Sequence, residues 1–257
     1  MRFWLRIKPV TQPGPPKNHV QTMFGSIARR YDILNHLLSL GLDFYWWREM
    51  ARAAGAKPGV RILDVAAGTG DSTLALAKRG ADVVASDFTI PMLALGPEKF
   101  NKSGVADSVI GYVGADAQHL PFRDSSFDAL TICYGLRNVE NREKAYAEFN
   151  RVLKPGGRLV ILEFSRPRRG WLRSFYSAYS RYLLPRLGGW ISGDKNAYTY
   201  LPESIKRFPP QADLALELKN AGFTDVTWRD LCLGVVAIHV GIRAIKENAL
   251  SLQSPLY

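Results

Sequence analysis

Beyond residue 59 the apolar positions fall into short runs of two kinds. Val60–Ala66, Asp82–Phe88, Ser108–Ala115, Asp128–Tyr134 and Arg158–Phe164 are compact apolar stretches of strand length. Asp71–Arg79, Pro91–Asn101 and Glu140–Leu153 carry their apolar residues at helical spacing. Strand and helix alternate, which predicts right-handed crossovers and a parallel sheet with helices on both faces. Lys154-Pro155-Gly156-Gly157 reads as the turn before the fifth strand. The ending differs: Phe223–Leu231 and Val235–Ala244 are strand-like and only a few residues apart. So short a connection permits a hairpin but not a parallel crossover. The predicted architecture is therefore α/β, a Rossmann-like seven-stranded sheet with an antiparallel C-terminal hairpin.

Upstream, Val20–Ala53 has helical periodicity, rich in aromatics and leucines, with breaks expected at Gly41 and Asp43. Thr11–Lys17 is a Pro/Gly-rich spacer without core-forming residues. We expect residues 1–19 to be a flexible tail and 20–257 a single domain, with a helical lid over about 20–56. Met1–Val10 is basic and partly apolar, too short for a signal-peptide core and without a small-residue cleavage site. No stretch reaches the ~18 uninterrupted apolar residues of a membrane span. The two cysteines, Cys133 and Cys232, have no pairing pattern, which favours a reducing cytoplasm. The four histidines lack metal-ligand spacing, so no metal is expected.

The chemistry concentrates at the strand ends. The first strand runs into Asp64-Val65-Ala66-Ala67-Gly68-Thr69-Gly70-Asp71 and then a helix, the layout of a nucleotide-type site. A dinucleotide fingerprint needs a third glycine, where this chain has Thr73. A carboxylate at Asp64 would repel a pyrophosphate but suits the cationic sulfonium and ammonium groups of S-adenosylmethionine. The bland alternative is that Asp64 and Asp71 only cap turns or the helix start. The second strand ends at Asp87, seventeen residues after Gly70, where a carboxylate can accept from ribose hydroxyls. The third ends at Asp116-Ala117, where one can accept from an adenine amino group. Three acceptors along one carboxyl edge predict a class I S-adenosylmethionine-dependent methyltransferase fold.

Longer motifs carry a resemblance. Arg151-Val152-Leu153-Lys154-Pro155-Gly156-Gly157 through Leu162-Glu163-Phe164-Ser165, Tyr134-Gly135-Leu136-Arg137-Asn138-Val139, His119-Leu120-Pro121-Phe122, Tyr200–Ile205 and Gly234–His239 together resemble the ubiquinone/menaquinone biosynthesis C-methyltransferases, from about Met23 to Arg243. Tyr31-Asp32-Ile33-Leu34-Asn35 through Ser39 and Trp46 fits the N-terminal signature, but Leu34 stands where that family usually has Met and Asp43 where it usually has His. The resemblance implies methylation of a ring carbon of a polyprenylated quinol, with a lean toward demethylmenaquinol and the ubiquinone branch left open. It implies that Thr69, Asp87, Asp116 and Ala117 contact the cofactor. With Asp64, Ala66, Gly68, Gly70 and Cys133 these make up the candidate cofactor-binding set.

A ring carbon becomes a good nucleophile once the quinol is a phenolate. Arg137, always charged and just past the fourth strand, is the candidate for stabilising that phenolate, the alternative being a structural arginine. Tyr31 and Asp32, and behind them Tyr198 and Tyr200, are candidates for facing the quinol, the alternative being packing.

The net charge of +11 leaves nucleic acid, an anionic membrane or plain solubility as explanations. Phe164–Gly193 holds six arginines and no acidic residue, interleaved with Trp171, Phe175, Tyr176, Tyr179, Tyr182 and Trp190. That pattern suits a segment lying on an anionic membrane surface, or else a helix with a solvated basic face. The expected partners are thus the quinol and, through residues 166–190, the membrane surface, with no nucleic acid; a homodimer is allowed. The competing readings are an RNA or small-molecule methyltransferase and a non-catalytic subunit of a quinone-synthesis complex.

Overall fold

A computed structural model describes residues 39–165 and 195–245 and, before them, positions 15, 16, 21, 25, 28, 32, 33, 35 and 36. Seven strands form one sheet in the order β3-β2-β1-β4-β5-β7-β6. They are β1 (Arg61–Val65), β2 (Asp82–Asp87), β3 (Val109–Gly114), β4 (Phe127–Cys133), β5 (Leu153–Phe164), β6 (Phe223–Leu231) and β7 (Val236–Arg243). The first five pair in parallel, and β7 runs antiparallel to both β5 and β6. The chain walks outward from β1 to β3 and returns to place β4 beside β1. This reversal is the switch point where open α/β sheets bind ligands.

The helices are α1 (Leu42–Ala53), α2 (Asp71–Ala77), α3 (Ile90–Leu93), α4 (Gly96–Lys102), α5 (Arg142–Val152), α6 (Lys195–Arg207) and α7 (Gln211–Asn220). The two-residue period of the strands divides the core between two faces. Ile62, Val160 and Leu162 join a cluster with Trp46, Met50, Leu76 and Phe100. Their neighbours Leu63, Leu159 and Ile161 join Tyr146, Phe149 and Leu218 on the other face. Both layers are closed, so the carboxyl edge is left for chemistry.

Three local expectations change. The helix expected over Pro91–Asn101 is two, because Pro97 has no N–H to give the carbonyl of Leu93, the last residue of α3. The Lys154–Gly157 turn is absorbed into β5 as an irregularity, with Leu153 opposite Phe127 and Arg158 opposite Ala129. Helices α6 and α7 are additional to the sequence pattern; Pro202 inside α6 obscures its periodicity. Of the two expected breaks, Gly41 sits at the start of α1 with φ 75°, whereas Asp43 lies inside the first turn of that helix and does not interrupt it.

A buried ion pair joins α5 to α7. Arg142 Nε and Nη2 donate to the two oxygens of Glu217 at 3.0 and 2.9 Å, and the Tyr146 hydroxyl donates to Glu217 at 2.9 Å. Removing one member leaves charge buried without its partner. We therefore expect Glu217→Ala to lose about 3–5 kcal/mol in a urea unfolding titration. A loss below ~1 kcal/mol would show that the pair does not hold these helices.

Candidate functional site

The glycine loop between β1 and α2 is fixed from below. Asp64 is fully buried, and its carboxylate accepts from Ser72 Oγ (2.6 Å), Thr73 Oγ1 (2.7 Å) and Thr131 Oγ1 (2.7 Å). Burial pushes its pKa up while the three hydroxyls pull it down. The structure thus turns this carboxylate into the protein rather than toward a ligand, and its contacts are those of an anchor for the first turn of α2. Gly70, at φ 94°, begins that turn, and a Cβ there would lie 2.4 Å from Phe100 Cζ. Only glycine fits on both counts.

The loop is also tied to the second strand end. Asp87 accepts from the Gly68 N–H at 2.8 Å and from the Thr89 N–H at 2.7 Å. Each of its oxygens keeps a lone pair for a further donor. At the third strand end Asp116 accepts from the Gln118 N–H at 3.0 Å. Between these ends lies a cleft lined by Val65, Ala66, Phe88, Asp116, Ala117 and Gln118 on one side and Gly135, Asn138 and Glu140 on the other. The two walls meet closely: a Cβ on Gly135 would sit 2.4 Å from the Ala66 Cβ. Among the described residues no lysine or arginine lines the cleft. A pyrophosphate would find carboxylates among them, whereas an adenosine with a cationic tail would find acceptors.

The turn after β4 forms the next part of the edge. Arg137 is buried, and its Nη1 donates to Glu163 Oε1 at 2.7 Å and to the Tyr134 carbonyl. Its guanidinium lies over the Phe164 ring, 5.5 Å from the centroid. Burial raises the Glu163 pKa and Arg137 counters it. The cation expected to be offered to a substrate is thus already neutralised by a buried carboxylate. Tyr134, Phe164 and Trp46 of α1 form an aromatic group, with centroids 4.6 Å apart for Tyr134–Phe164 and 6.4 Å for each contact to Trp46. The Tyr134 hydroxyl is buried and has no hydrogen-bond partner among the described residues. Cys133 is buried at the end of β4, and burial, then Asp64 and Glu163, drive its thiol pKa well up. Tyr200 of α6 donates to Asn138 Oδ1 at 2.8 Å and so braces this turn.

The N-terminal residues reach both parts. Asp32 accepts from the Thr69 hydroxyl and pairs with Lys99 at 2.8 Å, and Lys99 also pairs with Asp71 at 2.5 Å. Gln21 donates to the Phe88 carbonyl at 2.9 Å. Asp43, which stands where the resembled family usually has His, binds His36: Nδ1 to Oδ2 is 2.6 Å. Tyr31 and residues 166–190 lie outside the described residues, as does the Tyr198 side chain.

Candidate residues Ala66, Gly68, Thr69, Gly70, Asp87, Asp116 and Ala117 come together along one edge. Arg137 and Cys133 sit beside it, and Asp32 joins the glycine loop. Sequence reasoning missed Lys99, Glu163 and the His36–Asp43 pair. Glu163 had a signal, a lone carboxylate in the apolar run Leu159–Phe164, which calls for a buried partner. Lys99 and His36 had none, since their partners are set by tertiary placement.

Comparison with known proteins agrees with this layout. The chain is 45% identical over 228 residues to a demethylmenaquinone methyltransferase of Streptomyces avermitilis, covering 89% of this chain and 96% of that protein. It is 44% identical over 229 residues to the enzyme of that name from Mycobacterium tuberculosis H37Rv, covering 89% and 94%. Among solved structures it resembles the [4+2]-cyclase SpnF, with a TM-score of 0.68 at 19% identity over 91% of this chain and 98% of that one. It also resembles a SAM-dependent methyltransferase from Aquifex aeolicus, with a TM-score of 0.53 at 20% identity over 76% and 88%. These two likenesses bear on the fold, which is that of S-adenosylmethionine-dependent methyltransferases. The model of the ubiE/COQ5 methyltransferase family matches residues 14–243, nearly the whole chain, and the chain belongs to that family.

Proposed function

We propose that this methyltransferase methylates a ring carbon of a polyprenylated quinol, converting demethylmenaquinol to menaquinol. The observation that carries the reading is the 44–45% identity, over almost the full length, to relatives named demethylmenaquinone methyltransferase. S-adenosylmethionine supplies an electrophilic methyl group when bound, and the acid-edged cleft suits it. In this reading Asp87 accepts from the ribose hydroxyls, and Asp116 with Ala117 receives the adenine. Gly68, Thr69 and Gly70 let the backbone approach the amino-acid end, and Ala66 and Cys133 lie along the floor. Asp64 acts indirectly by holding the loop.

Residues 20–56 serve as a lid that excludes water. Gln21 on Phe88 and Asp32 on Thr69 support this, since both span the mouth of the cleft. Asp32 then acts as a latch on the glycine loop, and Tyr31 remains a candidate for facing the quinol. Arg137 fixes the turn that borders the acceptor and contributes to the phenolate's field only as one half of an ion pair. Among the described residues no helix is long and apolar enough to cross a membrane. The arginine- and aromatic-rich residues 166–190 dock the enzyme at the anionic cytoplasmic face, where the prenyl tail resides.

Purified protein given labelled S-adenosylmethionine should methylate chemically reduced demethylmenaquinone. It should act at most weakly on the demethylated ubiquinone precursor presented in parallel. The reverse preference would move the chain to the ubiquinone branch, and inertness toward both would refute a quinol acceptor. In flotation assays the protein should rise with phosphatidylglycerol vesicles at low salt and be released at high salt. Absence from the lipid fraction at low salt would remove the docking segment.

A further inference from the structure

Carbon methylation of a quinol requires loss of its hydroxyl proton, and the residues placed so far do not take it. Arg137 is committed to Glu163, and Asp32 to Thr69 and Lys99. Resting on the quinol reading above, we propose that His36 is the general base that accepts the quinol proton and that Asp43 is the positioning residue that orients it.

Placement comes first. Asp32 and His36 lie four residues apart in helical backbone, so they share a face, and Asp32 is bound to Thr69 in the glycine loop. Asp43 lies three residues before Trp46 in α1 and shares its face. Trp46 packs against Tyr134, just past the end of β4, and Phe164, the last residue of β5. The pair therefore stands between the glycine loop and the Tyr134–Arg137 turn, across the switch point where methyl donor and acceptor ring have to meet. The electrostatic neighbours agree with this position: burial is the main cause of the raised Asp71 and Tyr134 pKa values, and His36 bears on the first of these groups and Asp43 on the second. The other charged neighbours on that side are Asp32 and Lys99, which pair with each other.

The geometry is that of an oriented base. Asp43 is 2% exposed, and its other oxygen accepts from the Phe44 N–H at 3.0 Å. A carboxylate only accepts, so in the neutral imidazole the 2.6 Å contact places the proton on Nδ1 and leaves the lone pair on Nε2. Phe44 stacks on the ring at 4.7 Å and Trp47 meets it edge-on at 5.8 Å, which fixes its plane. The imidazole is 30% exposed, so a substrate can reach it, while the carboxylate is nearly enclosed at 4%.

The step balances. The quinol O–H breaks, its proton goes to Nε2, and the electron pair spreads from oxygen to the ortho carbon. That carbon forms the new C–C bond as the C–S bond breaks and its pair goes to sulfur. The ring carbon then loses its own proton to water, its electrons restoring the aromatic ring and the oxyanion, and His36 returns its proton to that oxygen. One proton is released overall and the sulfonium charge is gone.

The test uses the full chain with reduced demethylmenaquinone and, separately, calorimetric binding of S-adenosylhomocysteine. His36→Gln should lower kcat by about 10²–10³-fold while the quinol KM and the S-adenosylhomocysteine affinity stay within about threefold. Asp43→Asn should lose about 10–100-fold in kcat, and added imidazole should restore His36→Gly at least ~10-fold. Two results would overturn the proposal. One is a His36→Gln enzyme that keeps more than about a third of wild-type kcat. The other is a loss of cofactor affinity in step with activity and no imidazole rescue, which makes the pair a structural tie. An inactive wild type refutes the quinol reading instead, so the two failures are distinguishable.

Discussion

One buried carboxylate joins the three elements that make the site possible. Asp64 takes hydroxyls from Ser72 and Thr73 at the start of α2 and from Thr131 on β4, and none of it reaches solvent. Burying such a group without partners would cost several kcal/mol, so the arrangement persists only while all three donors stay in place. The bonds span the switch point, from β1 across to β4 and forward to α2. They set where the glycine loop leaves the sheet.

From that anchor the rest of the edge is reached by short links. The loop's Gly68 N–H holds Asp87, and its Thr69 hydroxyl holds Asp32. Lys99 of α4 then bridges Asp32 and Asp71, so the N-terminal segment, the loop and the helix after β2 are bound into one polar cluster. On the far side the close approach of Gly135 to Ala66 brings the Tyr134–Asn138 turn against the same loop. The cleft is therefore rigid where a nucleoside would lie. Among the described residues its N-terminal cover is held by side-chain hydrogen bonds of Gln21 and Asp32, a fitting distribution for a site that has to admit a ligand and then exclude water.

The sheet was legible because the buried parallel strands are continuous apolar runs and the connecting helices have their own period. Even the antiparallel β7 followed from the shortness of its connection. The strand-end acids were legible for the same reason, since topology puts every carboxyl end on one edge. For Asp64 two roles were open, facing a ligand or holding the helix start, and its bonds to Ser72 and Thr73 in the first turn of α2 favour the second. The Arg137–Glu163 and His36–Asp43 pairs depend on how β4 lies against β5 and how the chain turns at Gly41, neither of which leaves a spacing in the sequence. Pro97 was a readable break, whereas Pro202 sits inside a helix that continues around it.

The account stands on the claim that the edge from the glycine loop to Asp116 holds the nucleoside and aims the reacting end at the Tyr134–Arg137 turn. A crystal structure of the protein with S-adenosylhomocysteine tests it most directly. The account predicts ribose hydroxyls on the Asp87 carboxylate, the adenine between Phe88 and Ala117 with its amino group toward Asp116, and the sulfur facing the gap between His36 and Tyr134. A ligand bound elsewhere, or one whose ribose makes no contact with Asp87, would contradict it.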